Sequence, residues 1–338
     1  MIIAGSTLAA DPVTLGGRAM GTTWSVKFHQ PPPPSAPLAP TEVTARISAE
    51  LERLESLFST YRPASQLSVF NTSTSTEWFP VSPELARVAD ASRRISELTS
   101  GAFDVTVEPL IRLWGFGPQR DRNSVPTEAQ LTATRTRVDY RRLEIRISPP
   151  ALRKGTPNLT ADFSSMAKGF AADAVSALLR SLGAPEHLAQ IGGDIKTSGP
   201  HPWRTAIEQP AASGVSSHLT YPPPVLAQIL DLTDDALSTS GDSNNFTVLA
   251  GHRYGHIVDP RTGRPAASTL ASVSVVHASC AQSSALATAL FVLGPDAGYA
   301  LAIREHLAVL FLIRDGNHLT RRATPEFERR VSAAPASR

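Results

Sequence analysis

The order in which apolar patterns change along the chain restricts the fold more than any single motif does. Residues 22–28 place Trp24, Val26 and Phe28 at alternate positions, the pattern of a strand with one buried face. A proline-rich insert at 30–41 has little that could pair in a sheet and reads as a stiff, exposed connector. From Thr41, the residues Val43, Ile47, Leu51, Leu54 and Leu57 recur at helical spacing, and Tyr61-Arg62-Pro63 ends that helix. A second helix takes Ser82 as its cap and Pro83 in its first turn, carries Leu85, Val88, Ala91, Ile95 and Leu98, and stops at Gly101. The third covers 167–182, with Val175, Leu178, Leu179 and Leu182 inward and Gly183 as the stop. Strands then come in runs at 187–191, 226–232, 247–250, 254–258 and 271–276, with Gly251 turning one pair back. A helical stretch at 283–293 and a hairpin from 307–313 through Asp315-Gly316 complete the pattern. Strands in runs, without regular alternation with helices, argue an α+β fold over a doubly wound parallel sheet.

At 338 residues and 41% hydrophobic content, the chain can build a large packed core. A formal charge of +2, with no Lys/Arg run interleaved with aromatics, argues against a nucleic-acid partner. The single cysteine, Cys280, excludes an intramolecular disulfide and a cysteine-rich metal cage. No apolar run approaches the length of a membrane span. Leu8-Ala9-Ala10 resembles the end of a signal peptide but lacks a basic segment before it, so 1–16 is expected to be a poorly ordered N-terminus or a remnant leader. The charges around Arg321, Arg322, Glu326, Glu328, Arg329 and Arg330 read as a solvated tail, given the bounds 323–338. One domain is expected over 17–322.

Several segments look built for a ligand. His256-Ile257-Val258-Asp259-Pro260-Arg261-Thr262-Gly263-Arg264-Pro265 runs a strand into a rigid, charged turn. Its imidazole, carboxylate and guanidinium suit proton transfer and anion binding, or equally a surface loop with an ordinary salt bridge. Gly101 to Pro109, followed by Trp114-Gly115-Phe116-Gly117-Pro118, sets large rings on glycine-rich backbone, as a stacking platform or as a lid over the core. Asp162-Phe163-Ser164-Ser165-Met166-Ala167-Lys168-Gly169 leads into the third helix, whose first amides favour an anion, with simple helix capping as the alternative. Ile191-Gly192-Gly193-Asp194 is either a close approach to a ligand or a bulge. Ser238-Thr239-Ser240-Gly241-Asp242 is a phosphate nest on one view and a polar turn on the other.

Taken together, these blocks resemble the ApbE family of FAD:protein FMN transferases. The matching blocks are Met20-Gly21-Thr22, Ser59-Thr60-Tyr61 through Phe70-Asn71, Gly101 to Pro118, Asp162 to Asp173, Ile191 to Asp194, Ser238 to Asp242, His256 to Pro265 and Ala285 to Leu293, spanning roughly residues 17 to 305. The resemblance implies a two-lobed α+β fold related to the T-fold. It implies binding of FAD with Mg²⁺ at its pyrophosphate, and transfer of FMN to a Ser or Thr hydroxyl of an acceptor protein with release of AMP. FAD contacts are implied for Met20, Tyr61, Asn71, Ala102, Phe103, Asp104, Asp162, Lys168 and Ile257. Metal contacts are implied for the carbonyl of Ser165 and for Thr288 and Ser284, and catalytic roles for His256 and Asp242. Lys168 stands where some relatives have Glu. Family members carry Asp four residues before the threonine matching Thr288, and this chain has Ser284 there, so Mg²⁺ affinity is expected to fall unless the FAD phosphates or a spatially nearby acid such as Asp242 compensates. Binding of FAD without transfer, and hydrolysis of FAD to FMN and AMP, are the alternative activities. The resemblance also implies a periplasmic or outer-face location and a membrane-associated redox partner.

Overall fold

The computed structural model describes residues 11–31, 36–117, 124–210, 225–242, 246–249, 252–266, 269–316 and 318–332. Pro118, Ala250, the expected turn at Gly251, the first ten residues and part of the proline-rich insert lie outside the described residues.

Strands β1 (Val13–Ala19) and β2 (Thr22–Phe28) form an antiparallel hairpin, joined by Met20 and Gly21 at φ of 52° and 69°. Order therefore begins earlier than the expected boundary at residue 17, because Leu15 pairs across to Val26 and packs on the core. The Gln30 side chain bonds both the amide (2.8 Å) and the carbonyl (3.1 Å) of Leu38, clasping the base of the insert. Helix α1 (Pro40–Phe58) then buries Val43, Ile47, Leu51, Leu54 and Phe58. It leads to α2 (Gln66–Thr72), the short β3 (Phe79–Pro80) and α3 (Pro83–Leu98), where the Ser82 side chain caps the Leu85 amide as its sequence position suggests. Two short helices, α4 (Glu108–Leu113) and α5 (Glu128–Arg135), precede the hairpin of β4 (Leu143–Ile147) and β5 (Pro150–Lys154).

Helix α6 (Ser164–Ser181) feeds β6 (His187–Ile191), β7 (Asp194–Ser198), β8 (Trp203–Glu208), β9 (Leu226–Leu232) and β10 (Ala236–Gly241). Short strands β11 (Phe246–Leu249), β12 (His252–Gly255), β13 (Val258–Asp259) and β14 (Arg264–Pro265) follow, and split the expected strand at 254–258 in two. The chain closes with β15 (Leu270–His277), α7 (Cys280–Arg304), β16 (Ala308–Asp315), β17 (His318–Ala323) and α8 (Pro325–Ser332).

An eight-stranded antiparallel sheet, ordered β1-β2-β6-β7-β10-β15-β16-β17, organises the molecule and bears out the α+β expectation. Both its faces are buried. Val309 and Phe311 of β16 join the main core with α1, α3, α6 and α7, while Ala308, Leu310 and Leu312 point the other way into a second cluster. That cluster takes Ile207 and Leu230 from the β8–β9 pair and Phe327 from α8, so the expected solvated tail is corrected. Its charges mark one face of a helix whose other face is fully buried through Phe327, with the Phe327 amide held by Thr324 Oγ1 at 3.3 Å.

α7 also departs from expectation. The stop foreseen after Leu293 is a kink at Gly294 (φ 81°, ψ −179°) before Pro295, and helix resumes as far as Arg304. By length and composition α7 could cross a bilayer, contrary to the sequence reading. Its packing against α6, β10 and β15 makes it the core helix of this sheet.

Candidate functional site

α6 and α7 cross where Gly169 meets the backbone of Cys280 and Ala281, and a Cβ at 169 would collide with the Cys280 carbonyl. Asp173, one turn along α6, accepts from Ser279 Oγ (3.0 Å) and from the amides of Cys280 (3.0 Å) and Ala281 (3.1 Å). A carboxylate on the unpaired first amides of α7 favours both the helix and the crossing.

Beyond the crossing, Cys280, Ser284 and Thr288 lie a turn apart on the face of α7 toward β10. Cys280 Sγ is 3.8 Å from Ser238 Oγ, and Thr288 Oγ1 is 3.1 Å from Ser240 Oγ and 3.2 Å from the Ser284 carbonyl. Burial pushes the Asp194 carboxyl up, and the Lys168 ammonium and the Ser238 and Ser284 hydroxyls draw it back. Gly192, at φ 59°, brings three blocks together. A Cβ there would meet Thr22 Oγ1 at 3.1 Å and Lys168 Cδ at 3.7 Å, so the β1–β2 turn, the β6–β7 turn and Lys168 share one corner. Ser165 sits in the first turn of α6, one turn before Gly169.

The segment leading into α6 is held from both sides. Asn71 Nδ2 donates to the Ala161 carbonyl and its Oδ1 accepts the Ala161 amide, both at 2.8 Å, while the next amide, of Asp162, donates to the Val105 carbonyl at 2.7 Å. Buried Lys154 fixes Asn71 in turn, donating to the carbonyls of Asn71 (2.9 Å) and Ser73 (2.6 Å). Desolvation lowers its ammonium to about 8. Asp162 Oδ1 accepts the Ser164 amide at 2.8 Å, and burial pushes that carboxyl up. Asp104 is pushed up by burial too, and accepts the Thr106 amide (2.7 Å) and hydroxyl (2.6 Å) and the Tyr140 amide (2.9 Å). With Ala102 and Phe103 buried, this loop has its side chains committed to the fold, which leaves main-chain atoms for a ligand.

Of the other expected ligand contacts, Met20 donates its amide to the Glu55 carboxylate and Tyr61 is 64% exposed. A cavity of about 530 Å³ is lined by Thr60, Asn71, Glu108, Arg112 and Thr160. Ile257 is half-buried with its carbonyl accepting the Ala266 amide at 2.8 Å, and the His256 ring stands edge-on to Phe116 at 6.4 Å.

Two open alternatives are decided, and Asp242 gains a partner that the sequence did not suggest. Trp114 and Phe116 form no exposed platform: both are buried in a small core with Leu110, Leu131 and Val258, and Trp114 Nε1 donates to the Gly263 carbonyl at 2.8 Å. Asp259 and Arg261 pair with each other at 2.9 Å, the ordinary salt bridge of the two alternatives. Asp242, expected as a catalytic or compensating acid, is gripped by Arg314 through two hydrogen bonds of 2.6 and 3.0 Å. Sequence reasoning named Asp194 and Asp173 only as the ends of matching blocks and passed over Lys154 and Arg314. Each acts on a partner tens of residues away, so local patterning carries no trace of it.

The ApbE family model matches residues 20–311. The chain is 37% identical to the FAD:protein FMN transferase of Vibrio cholerae serotype O1, covering 97% of this chain and 95% of that protein. The chain belongs to the ApbE family. It is 32% identical to the Escherichia coli K12 protein of the same name, over 95% of this chain and 90% of that one. The flavin transferase ApbE structure from Vibrio cholerae superposes with a TM-score of 0.84 at 36% identity, covering 94% and 99% of the two chains. The apo flavinyl transferase ApbE of Pseudomonas stutzeri gives 0.82 at 33%, covering 96% and 98%.

The expected metal contacts are the Ser165 carbonyl and the Ser284 and Thr288 hydroxyls. These are hard oxygen donors of the kind Mg²⁺ takes. The donor chemistry fits, although among the described residues no cluster of three or more His, Cys, Asp or Glu could hold a metal.

Proposed function

We propose that the protein transfers the FMN half of FAD to a Ser or Thr hydroxyl of an acceptor protein. The acceptor oxygen attacks the phosphorus of the FMN half, the anhydride P–O bond breaks, AMP leaves with the bridging oxygen, and the hydroxyl proton passes to a base. The near full-length likeness to ApbE flavin transferases carries this reading.

The residues at the α6–α7 crossing suit the chemistry. Lys168 and the first amides of α6 face the charge of a diphosphate, and such electrostatic positioning supplies most of the rate in phosphoryl transfer. Mg²⁺ held by Ser165, Ser284 and Thr288 would neutralise non-bridging oxygens. Met20, Tyr61, Ile257, Asp162 and the backbone of Ala102, Phe103 and Asp104 bind and orient the flavin nucleotide, and Asn71 holds Asp162 in place through Ala161. His256 accepts the acceptor's proton.

Incubating the protein with FAD, Mg²⁺ and an acceptor carrying the flavinylation motif should add one FMN mass to the acceptor and release AMP in equal amount. FMN and AMP without modified acceptor would mean that water is the nucleophile, and bound FAD with no product would mean a binding protein.

A further inference from the structure

We infer that Lys154 is a positioning residue for the flavin nucleotide: with Asn71 it forms a staple that sets the loop delivering Asp162. The inference rests on the flavin-transfer reading, which puts Asp162 on the nucleotide.

Lys154 is the last residue of β5, paired with Leu143 across the β4–β5 hairpin, and its side chain is turned inward to 1% exposure. Its Nζ donates to the carbonyls of Asn71 (2.9 Å) and Ser73 (2.6 Å) at the C-terminal end of α2, and stands 5.0 Å from the centre of the Phe70 ring. Further along the chain, Ala161 is held by the same asparagine, through its side chain, at 2.8 Å in both directions. Both ends of the loop 155–160 are thereby attached to one residue, the near end to the Asn71 main chain and the far end to the Asn71 amide. Between them the loop is anchored by fully buried Leu159 and by Thr160 Oγ1, which donates to Glu108 at 3.0 Å. Asp162 follows at once, its amide on the Val105 carbonyl at 2.7 Å. Asn71 and Thr160 both line the cavity of about 530 Å³, so the staple is part of its wall.

Energetics set Lys154 apart from an ordinary core residue. Among the described residues no acid forms an ion pair with it, and burial alone lowers its ammonium. A charge is thus kept out of water with two carbonyls and a ring face as its partners, an arrangement that costs more than an apolar side chain of similar volume would. An apolar chain cannot, however, hold two carbonyls at once. Charge-assisted bonds at the end of α2, where the helix dipole also favours a cation, fix the direction in which Asn71 presents its amide. The loss of that cation is therefore felt where the amide acts, at Ala161 and Asp162.

Hydrogen exchange followed by mass spectrometry on the apo full-length protein tests the staple itself. Lys154→Met should speed exchange by roughly tenfold in peptides covering 159–164, while peptides from β15 and β16 keep their protection. Calorimetric titration of FAD tests the consequence. Lys154→Met and Asn71→Ala should each weaken FAD binding by roughly tenfold, and the double variant no further than the worse single, because both cut one path. In turnover the loss should fall on KM for FAD with kcat nearly unchanged, since Lys154 touches no reacting atom. Lys154→Gln keeps an N–H donor on a shorter chain, so it should give the same pattern to a lesser degree, and it serves where the Met variant does not fold. Unchanged exchange at 159–164, exchange raised equally in every element, FAD affinity equal to that of the wild type, a loss confined to kcat, or additive losses in the double variant overturns the assignment. A wild-type protein that binds no FAD overturns the flavin-transfer reading and the nucleotide role of Lys154 with it, whatever exchange shows of the staple in the apo protein.

Discussion

Asn71 and His187 are the side chains whose surroundings fix their behaviour most tightly. Both polar ends of the Asn71 amide are spent on Ala161, so Asn71→Ala removes two hydrogen bonds and leaves a main-chain pair unsatisfied beside Asp162. A stability loss of about 1–3 kcal/mol in urea unfolding is expected, with weaker FAD binding in calorimetry because Asp162 loses its anchor. His187 is fully buried, with Nδ1 donating to the Ala184 carbonyl and Nε2 accepting from Ser176 Oγ, each at 2.7 Å. Burial lowers it from an ordinary value of 6.5 to about 4, so the unfolded chain takes up this proton more readily than the folded one. Stability should therefore fall as pH drops from 6.5 toward 4, by about 3 kcal/mol in all. His187→Gln should show a shallower acid slope in unfolding midpoints measured against pH. An equal slope would mean that other groups set the acid response. In the sequence neither residue stood out for these roles. Asn71 was legible as part of a matching block, but a contact with ligand and a clamp on Ala161 look the same until position 161 is placed beside it.

Among the elements, the crossing of α6 and α7 depends on a residue with no side chain. Gly169→Ala pushes a methyl into the Cys280 carbonyl and should cost about 1–3 kcal/mol in unfolding free energy. FAD affinity should fall as well, since Lys168 and Ser284 sit on the two helices being forced apart. Normal stability together with normal affinity would show that the helices yield without loss. The helices α1, α3 and α6 were readable because apolar spacing and caps agree, as at Ser82 and Pro83. The length of α7 was not, since Gly294-Pro295 carries the local signature of an end and only packing beyond the kink keeps the helix going. Strand β8 and helix α8 were missed for a related reason: each has one buried face and one rich in charge, and the charge dominates a reading by composition.

For the molecule as a whole, the sheet has two cores, and the smaller depends on the last described helix. Phe327→Ala opens a cavity under β16 in the cluster shared with Leu230 and Leu310 and should cost about 3–5 kcal/mol. Thermal unfolding should record the loss, with FAD affinity nearly unchanged because the cleft lies on the other face. A fall in affinity as large as the fall in stability would show that the two faces are coupled. Fold class was legible at this scale because the sequence of patterns survives errors in single boundaries, whereas the second core was not, being built from segments far apart in the chain.

The bonds from Asp173 to the start of α7 carry a consequence for the encounter with a partner. They rivet the two jaws of the cleft to each other, so neither can swing aside to admit a bulky visitor. Whatever polypeptide is to be modified must then bring its own pliability, offering its hydroxyl on a slack loop or an unwound end that threads into a rigid vice.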